Sequence, residues 1–408
     1  MTAAKINKGE VKKPTTPPLQ DTIVLAALSS LELFGHEREN IEVFKALKGA
    51  GARVIIGVNA ISEENNVATE IDRLGFEYFR LPFGNQWSWM WLKRYPFSIV
   101  EKISQVWRCS RIFSQQIKKH KPAYIYLGSP LAYSFVAPAL WKSRLPLVYR
   151  AGDLPPMDSW FNMIIWRSAM RRAFKVASIS QFIRSALQRV GGKALDNRIA
   201  VIYGTAGHPD PQSTNQTKMD RVVYVGQISV AKGLLQLIDA FAELADVYPE
   251  VVLDVIGGSR FTNQFEQQLR HRVVNYGLAK RVIFHGYQSN TDPFLQRSLF
   301  QVVPSMCLEA LGLVVLEAKA AGIPAVVFPS GGLPEMVRHE LDGYVCPAAS
   351  VSALRDGMKW MLDHKQNLAE MGGAAKEDYQ ERFSPEIFRR HWVDFFRGMD
   401  ARASRPER

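Results

Sequence analysis

The sequence predicts an α/β protein of two doubly wound domains, and three observations predict it. Short apolar runs alternate along the chain with segments whose apolar residues recur at helical spacing, as in strand–helix–strand units. The 408 residues suffice for two substantial cores. Residues 207–219, with His208, Pro209, Asp210 and Pro211, are polar, proline-containing and aperiodic, and read as the linker between the domains.

Composition narrows the class. With 47% hydrophobic and 22% charged residues this is an ordinary globular chain. A net charge of +12 points to an anionic partner. The basic residues are scattered and no recognised nucleic-acid motif occurs, so nucleic acid is not expected to be that partner. Cys109, Cys307 and Cys346 form no CxxC pair, which supports neither a zinc site nor a disulfide framework and suits a reducing cytosol. No apolar run approaches the ~20 residues of a spanning helix. Residues 1–20, rich in Lys, Thr and Pro, read as a disordered leader rather than a secretory signal.

The first domain is expected over 21–206. Residues 22–28 read as a strand, 29–38 as a loop containing Gly35, 40–50 as a helix stopped by Gly51, and 53–58 as a second strand. Open α/β sheets bind ligands beyond the carboxyl ends of their strands. Gly35 therefore reads either as a turn glycine or as a point where backbone approaches a ligand. In residues 83–98, Trp87, Trp89 and Trp91 run into Lys93 and Arg94, a mixture that suits a membrane interface or a packed core. The next helix repeats Ile99, Ile103, Val106, Phe113 and Ile117, expected to face the core, with Lys102, Arg108, Arg111, Lys118 and Lys119 on its other side. Strands follow at 123–127 and 147–149, the second leading into Arg150, Ala151, Gly152 and Asp153. Arg167, Arg171, Arg172 and Lys175 form a second basic cluster. A strand at 176–179 enters a helix at Ser180–Arg184, and 199–203 is the last strand before Gly204.

The second domain is expected over 220–375. Strand 222–225 leads into Gly226, Gln227, Lys232 and Gly233 and a helix over 234–247. Strand 251–256 ends at Gly257 and Gly258, and strand 282–284 at His285, Gly286 and Tyr287. The richest stretch is 300–324. A buried strand ends at Pro304, a loop carries Glu309, and a helix from about Leu313 is stopped by Gly322 and Pro324. The free amides of Gly312, Leu313 and Val314 open that helix and favour a phosphate. Glu309 and Glu317 stand eight positions apart, one in the loop and one a turn inside the helix. Carboxylates repel phosphate but accept hydrogen bonds from hydroxyls, which a nucleotide-sugar carries on both ribose and hexose. The plain alternative is an ordinary βαβ unit with two solvated glutamates. Helices close the chain at 354–363, 368–383 and 387–398, the last capped by Ser384, Pro385 and Glu386.

The Glu309-x7-Glu317 segment, the run Gly331-Gly332-Leu333-Pro334-Glu335 and the turn Asp342-Gly343-Tyr344 resemble the donor-binding half of retaining glycosyltransferases of the group 1, or family 4, set, with the GT-B fold. The resemblance is strongest over 221–347 and continues, more weakly, over about 21–205. It implies two Rossmann-like domains facing a cleft, an acceptor-binding first domain, a nucleotide-sugar-binding second one, and terminal helices over 376–408 that cross back to the first. It also implies site residues. Lys232, with Gln227 and Gly226, would hold the diphosphate, and Gly35 would let backbone approach it. Leu311, Gly312, Leu313 and Val314 would form the phosphate-facing helix start. Gly286 and Tyr287 would lie beside the base, Glu317 on the ribose, and Glu309 on the hexose. Glu309, Lys232 and Asp153 make up the catalytic set. Three positions depart from the family pattern: Gln227 replaces an Arg, Tyr203 an Asn, and Gly152 stands where many members carry a His before the Asp.

The implied reaction is retaining, metal-independent transfer of a sugar from a nucleoside-diphosphate sugar to a lipid-linked, polysaccharide or other glycan acceptor. The implied location is cytoplasmic, peripheral on the inner membrane face, with an anionic membrane surface as a further partner. No cofactor beyond the co-substrate is expected, and no Asp-x-Asp offers a metal site. Two rivals stand beside this reading. One is a nucleotide-sugar epimerase on the same fold. The other is a donor-binding protein without transfer activity, favoured by the histidine missing at Gly152.

Overall fold

The computed structural model describes residues 19–403 except 34, 61–64, 85–97, 158, 207–218 and 260–262. The leader up to residue 18, the Trp87–Trp91 cluster with Lys93 and Arg94, and nearly all of the expected linker lie outside the described residues.

Two wholly parallel sheets organise the rest. The first holds β1 (Ile23–Ala27), β2 (Arg53–Asn59), β3 (Glu77–Leu81), β4 (Tyr124–Leu127), β5 (Leu147–Ala151), β6 (Ala173–Ser178) and β7 (Ile199–Val201), in the order β3-β2-β1-β4-β5-β6-β7. The second holds β8 (Arg221–Val225), β9 (Val252–Ile256), β10 (Val282–Gly286), β11 (Phe300–Val303), β12 (Ala325–Val327) and β13 (Gly343–Val345), in the order β10-β9-β8-β11-β12-β13. Strand order reverses at β1/β4 and at β8/β11. These switch points open a crevice at the carboxyl ends of the strands.

The strands read as continuous apolar runs because both faces are covered by helices. In β1, Leu25 and Ala27 enter one core and Val24 and Ala26 the other. In β8, Val222 and Tyr224 face one core while Val223 and Val225 face its opposite. The first of these cores also runs across both sheets, through Ile179 and Ile183 to Leu311, Val315 and Leu333.

The last helix, Pro385–Ala403, packs against the first sheet although it ends the chain. Phe388, Trp392, Phe396 and Met399 enter the core beside Val24 and Val54. The rings of Trp392 and Tyr126 meet edge to face, with centroids 5.9 Å apart.

Two sequence expectations are corrected here. The helix expected over 40–50 runs over Gly35–Gly49, so Gly35, His36, Glu37 and Arg38 are helical rather than loop residues. The run has no proline or β-branched residue before Ile41 to oppose this, and Glu37 in the first turn complements the helix dipole. The stripe along Ser98–His120 does not all face the core. Phe113 and Cys109 are buried, but Ile99 and Ile103 are 46% and 59% exposed, while Lys102 is buried beside the Phe135 ring. Helical spacing defines a face without saying along how much of its length another element covers it.

Candidate active site

The second-sheet wall is assembled by close backbone approaches. Gly233 has φ +71°, and a Cβ there would stand 1.8 Å from the Pro304 carbonyl oxygen. The loop after β8 is thereby locked onto the loop after β11, and the Met306 amide donates to the Ala231 carbonyl across 2.9 Å. Gly331, φ +62°, lies against the Glu309 backbone in the same way, and the Gly332 amide donates to the Glu309 carbonyl at 2.7 Å. Three loops thus converge on Glu309. Its Oε1 accepts from Lys232 Nζ and from Ser305 Oγ, each at 2.6 Å.

The helix Leu313–Ala320 begins beside this pair. Gly312, φ +107°, is its N-cap, and no side chain caps it. A glycine here leaves the first amides to a ligand, where a Ser or Asp would occupy one. One turn on, Glu317 is mostly buried. That burial, aided by Asp292 and opposed by Arg38, raises its pKa to about 7. The same helix is anchored from behind. Buried Lys319 donates to Asp342 at 3.0 Å, to Asp378, and to the Met336 carbonyl at 2.8 Å.

The other residues expected beside the nucleotide lie along the same sheet edge. Gly226 donates its amide to the Ile256 carbonyl and Gly257 to that of Gly286, at 3.0 and 2.8 Å, which continues the β8-β9-β10 ladder to its rim. Gln227 is exposed beyond that rim, and Tyr287 is 74% exposed next to Gly258. Leu311 is buried and takes part in the core instead of presenting a side chain to the cleft. His285 binds the buried Asp254 through Nε2 at 2.7 Å and has a structural partner.

The first-sheet wall faces these loops. A Cβ on Gly35 would lie 3.3 Å from Leu313 Cδ1, so the starts of two helices, one from each half, meet across the crevice. Both direct the positive end of a helix dipole there. Further contacts join the halves. Glu335 accepts from the Gln181 and Phe182 amides at 2.8 and 2.6 Å and from Tyr203 OH at 3.0 Å, and Ser180 Oγ donates to the Ala310 carbonyl at 2.6 Å. The family-atypical Tyr203 is therefore a bridge between the two walls.

Asp153 lines a cavity of about 560 Å³ at the ends of β1, β4 and β5, shared with Glu37, His36, Ser29, Ser129 and Asn162, whose lining includes neither Lys232 nor Glu309. Behind it, buried Arg150 pairs with Glu39, and its Nη1 lies 3.4 Å from His36 Nδ1. Arginine only donates, so Nδ1 accepts and the neutral ring carries its proton on Nε2. Burial, and then the Arg150 charge, lower the His36 pKa to about 3. Sequence reasoning missed His36 and Glu37, having placed them in a loop. Gly152 explains His36. A Cβ on Gly152 would stand 2.6 Å from His36 Nδ1, so an imidazole from the helix start fills the space beside the position where the family histidine is absent.

This architecture, two doubly wound sheets facing a crevice, is matched by the comparisons with known proteins. The glycosyl transferase 4-like domain profile matches residues 35–204, and the glycosyl transferases group 1 profile matches residues 209–378. The chain belongs to the group 1 glycosyltransferases of the GT-B fold. This glycosyltransferase is 25% identical over 308 residues to a GDP-mannose-dependent alpha-(1-6)-phosphatidylinositol monomannoside mannosyltransferase of Mycobacterium tuberculosis, covering 70% of this chain and 78% of that one. It is 28% identical over 165 residues to the N-acetyl-alpha-D-glucosaminyl L-malate synthase of Bacillus anthracis, covering 40% and 42%. Among solved structures, Anabaena HepE in complex with UDP aligns with TM-score 0.75 at 21% identity over 92% of this chain and 99% of that one. Sucrose-phosphate synthase of Thermosynechococcus elongatus aligns with TM-score 0.74 at 18% identity over 93% and 100%. At such identities the structures establish the shared fold.

Proposed function

We propose that this glycosyltransferase moves a sugar from a nucleoside-diphosphate sugar to a lipid-linked, polysaccharide or other glycan acceptor, with retention at the anomeric carbon and without a metal. The observation that carries the reading is Lys232 paired with Glu309 beside the uncapped start of Leu313–Ala320, opposite Gly35. When the sugar leaves, the C1–O electron pair passes to the diphosphate. A lysine and two helix starts are suited to that growing charge. Glu309 orients hexose hydroxyls and Glu317 the ribose. The acceptor oxygen bonds to C1 on the face the diphosphate vacates and gives its proton to a diphosphate oxygen, so no strong protein base is demanded.

The cavity holding Asp153 favours transfer over epimerisation, since an epimerase has no acceptor to house. His36 beside Gly152 weakens the case for a binding protein that has lost its chemistry. A peripheral site on the inner membrane face is supported by exposed apolar residues: Trp160 and Ile164 on the helix Trp160–Arg172, Leu154 and Met157 in the loop that leads into it, and Ile99, Ile103 and Trp107 on the helix Ser98–His120. Arg167 and Arg171 are exposed on the first of these elements. No helix among the described residues is long and apolar enough to cross a membrane.

The test is a transfer assay over a panel of nucleotide-sugars with glycan acceptors, with the anomeric configuration read by NMR and activity compared in EDTA and Mg²⁺. A product of inverted configuration, or activity abolished by EDTA and restored by Mg²⁺, overturns the mechanism.

A further inference from the structure

We infer that the 560 Å³ cavity at the ends of β1, β4 and β5 selects an uncharged polyhydroxyl acceptor head, a sugar or cyclitol, and rejects phosphorylated or carboxylated ones. The inference rests on the transfer reading and adds the chemistry of the second substrate. Three features of the lining carry it.

The first is charge. Among the described residues the lining holds two carboxyl groups, Glu37 and Asp153, and no Lys or Arg. Arg150 stands behind the wall, buried and already paired with Glu39. Burial raises the pKa of both carboxyls, that of Glu37 to about 7, so from neutral pH upward an acceptor bearing a phosphate or carboxylate at this end meets like charge with no lining cation to answer it.

The second is hydrogen-bonding capacity. Ser29 and Ser129 share a 3.1 Å hydrogen bond, and each hydroxyl keeps capacity for a further partner. Asn162 adds an amide that both donates and accepts. Carboxylates accept from ligand hydroxyls, and hydroxyl and amide groups do both, which matches a polyol.

The third is the apolar share. Pro130, Leu131, Pro156 and Ile165 supply it, beside His36 and the further hydroxyls of Ser30 and Ser134. A pyranose or cyclitol ring has a C–H face to lay on them, whereas a small anion has none. The volume accommodates such a ring with room to spare. The exposed Leu154, Met157 and Trp160 lie on the segment that carries Asp153 and Pro156, so a lipid attached to the head could leave along an apolar rim.

The test uses the full-length chain saturated with UDP. Binding of methyl α-glucoside, myo-inositol, glycerol 3-phosphate and malate is followed by saturation-transfer NMR and calorimetry, in wild type and Glu37→Gln. The neutral polyols should bind at least ten-fold tighter than the two anions. Glu37→Gln should weaken the polyols about ten-fold, narrow the discrimination against the anions, and leave UDP affinity unchanged. Ser29→Ala serves as a milder variant should Glu37→Gln fold poorly. Anions binding as well as polyols, or polyol binding indifferent to both variants, overturns the inference while UDP binding still stands. Failure to bind UDP and every nucleotide-sugar overturns the transfer reading itself.

Discussion

Lys232 Nζ lies 2.6 Å from Glu309 Oε1, and the same oxygen accepts from Ser305 Oγ. The cation assigned to the diphosphate and the carboxylate assigned to the sugar are thus joined, and each fixes the position of the other. Lys232→Ala should lower kcat about 10²–10³-fold, the scale for losing one group that stabilises a developing anion. Glu309→Gln should lower kcat with little change in UDP affinity. Steady-state kinetics with UDP titrations check both, and a Glu309→Gln variant with full turnover removes Glu309 from the mechanism.

Glu317 sets a pH dependence. Its folded pKa of about 7 lies above the ordinary 4.5, because burial opposes the charged form. Its contribution to stability is complete below about pH 4.5, where folded and unfolded chains both hold the proton. The contribution is lost as pH rises through 7, because the unfolded carboxyl ionises freely and the folded one cannot. Glu317→Gln should therefore gain stability relative to wild type between pH 4.5 and 8, on the order of 2 kcal/mol. Denaturant melts at the two pH values measure this. A difference that stays constant with pH would show Glu317 to be ionised normally. The same variant should weaken UDP binding, read by calorimetry.

The His36 ring and a side chain at position 152 are sterically exclusive. A Cβ at 152 would stand 2.6 Å from His36 Nδ1 and 3.3 Å from Arg150 Nη1. Gly152→His should destabilise the protein and reduce activity, and adding His36→Gly should recover part of both. Melting temperatures and transfer rates of the two single variants and the double variant form the cycle. Purely additive losses would show that the two positions do not share one space.

Lys319 holds the helix Leu313–Ala320 from behind. Lys319→Met leaves Asp342 and Asp378 buried without their common cation, although Arg338 and Arg382 still reach them. Breaking such a buried pair should cost about 3 kcal/mol. Chemical denaturation checks this, and a loss below 1 kcal/mol would mean that the arginines suffice.

Vesicle binding should depend on Arg167 and Arg171. Arg172 and Lys175 do not belong to that surface, because Arg172 donates to the Leu140 and Leu145 carbonyls and Lys175 to that of Asn197. Each basic residue near an anionic leaflet contributes about 1 kcal/mol. Neutralising Lys93, Arg94, Arg167 and Arg171 together should lower co-sedimentation with anionic vesicles at least ten-fold at low salt. Equal recovery with neutral and anionic vesicles would leave a soluble acceptor.

What the sequence determined by itself was the periodic and the local. Apolar runs separated by glycine and proline marked the strands, because a strand covered on both faces tolerates little else. The placement of Glu309 and Glu317 around Gly312 was readable because loop, N-cap and first turn are consecutive in the chain. Tertiary structure decided what depends on residues far apart. Glu309 meets Lys232 across seventy-seven positions, and Glu335 reaches Gln181 across a hundred and fifty-four. His36 became visible only when its ring was found beside Gly152, since no spacing links a helix start after β1 to a strand end at β5. The exposed side of Ser98–His120 was equally out of reach. Periodicity tells which residues share a face, but only the packing of neighbouring elements decides whether that face meets protein or solvent.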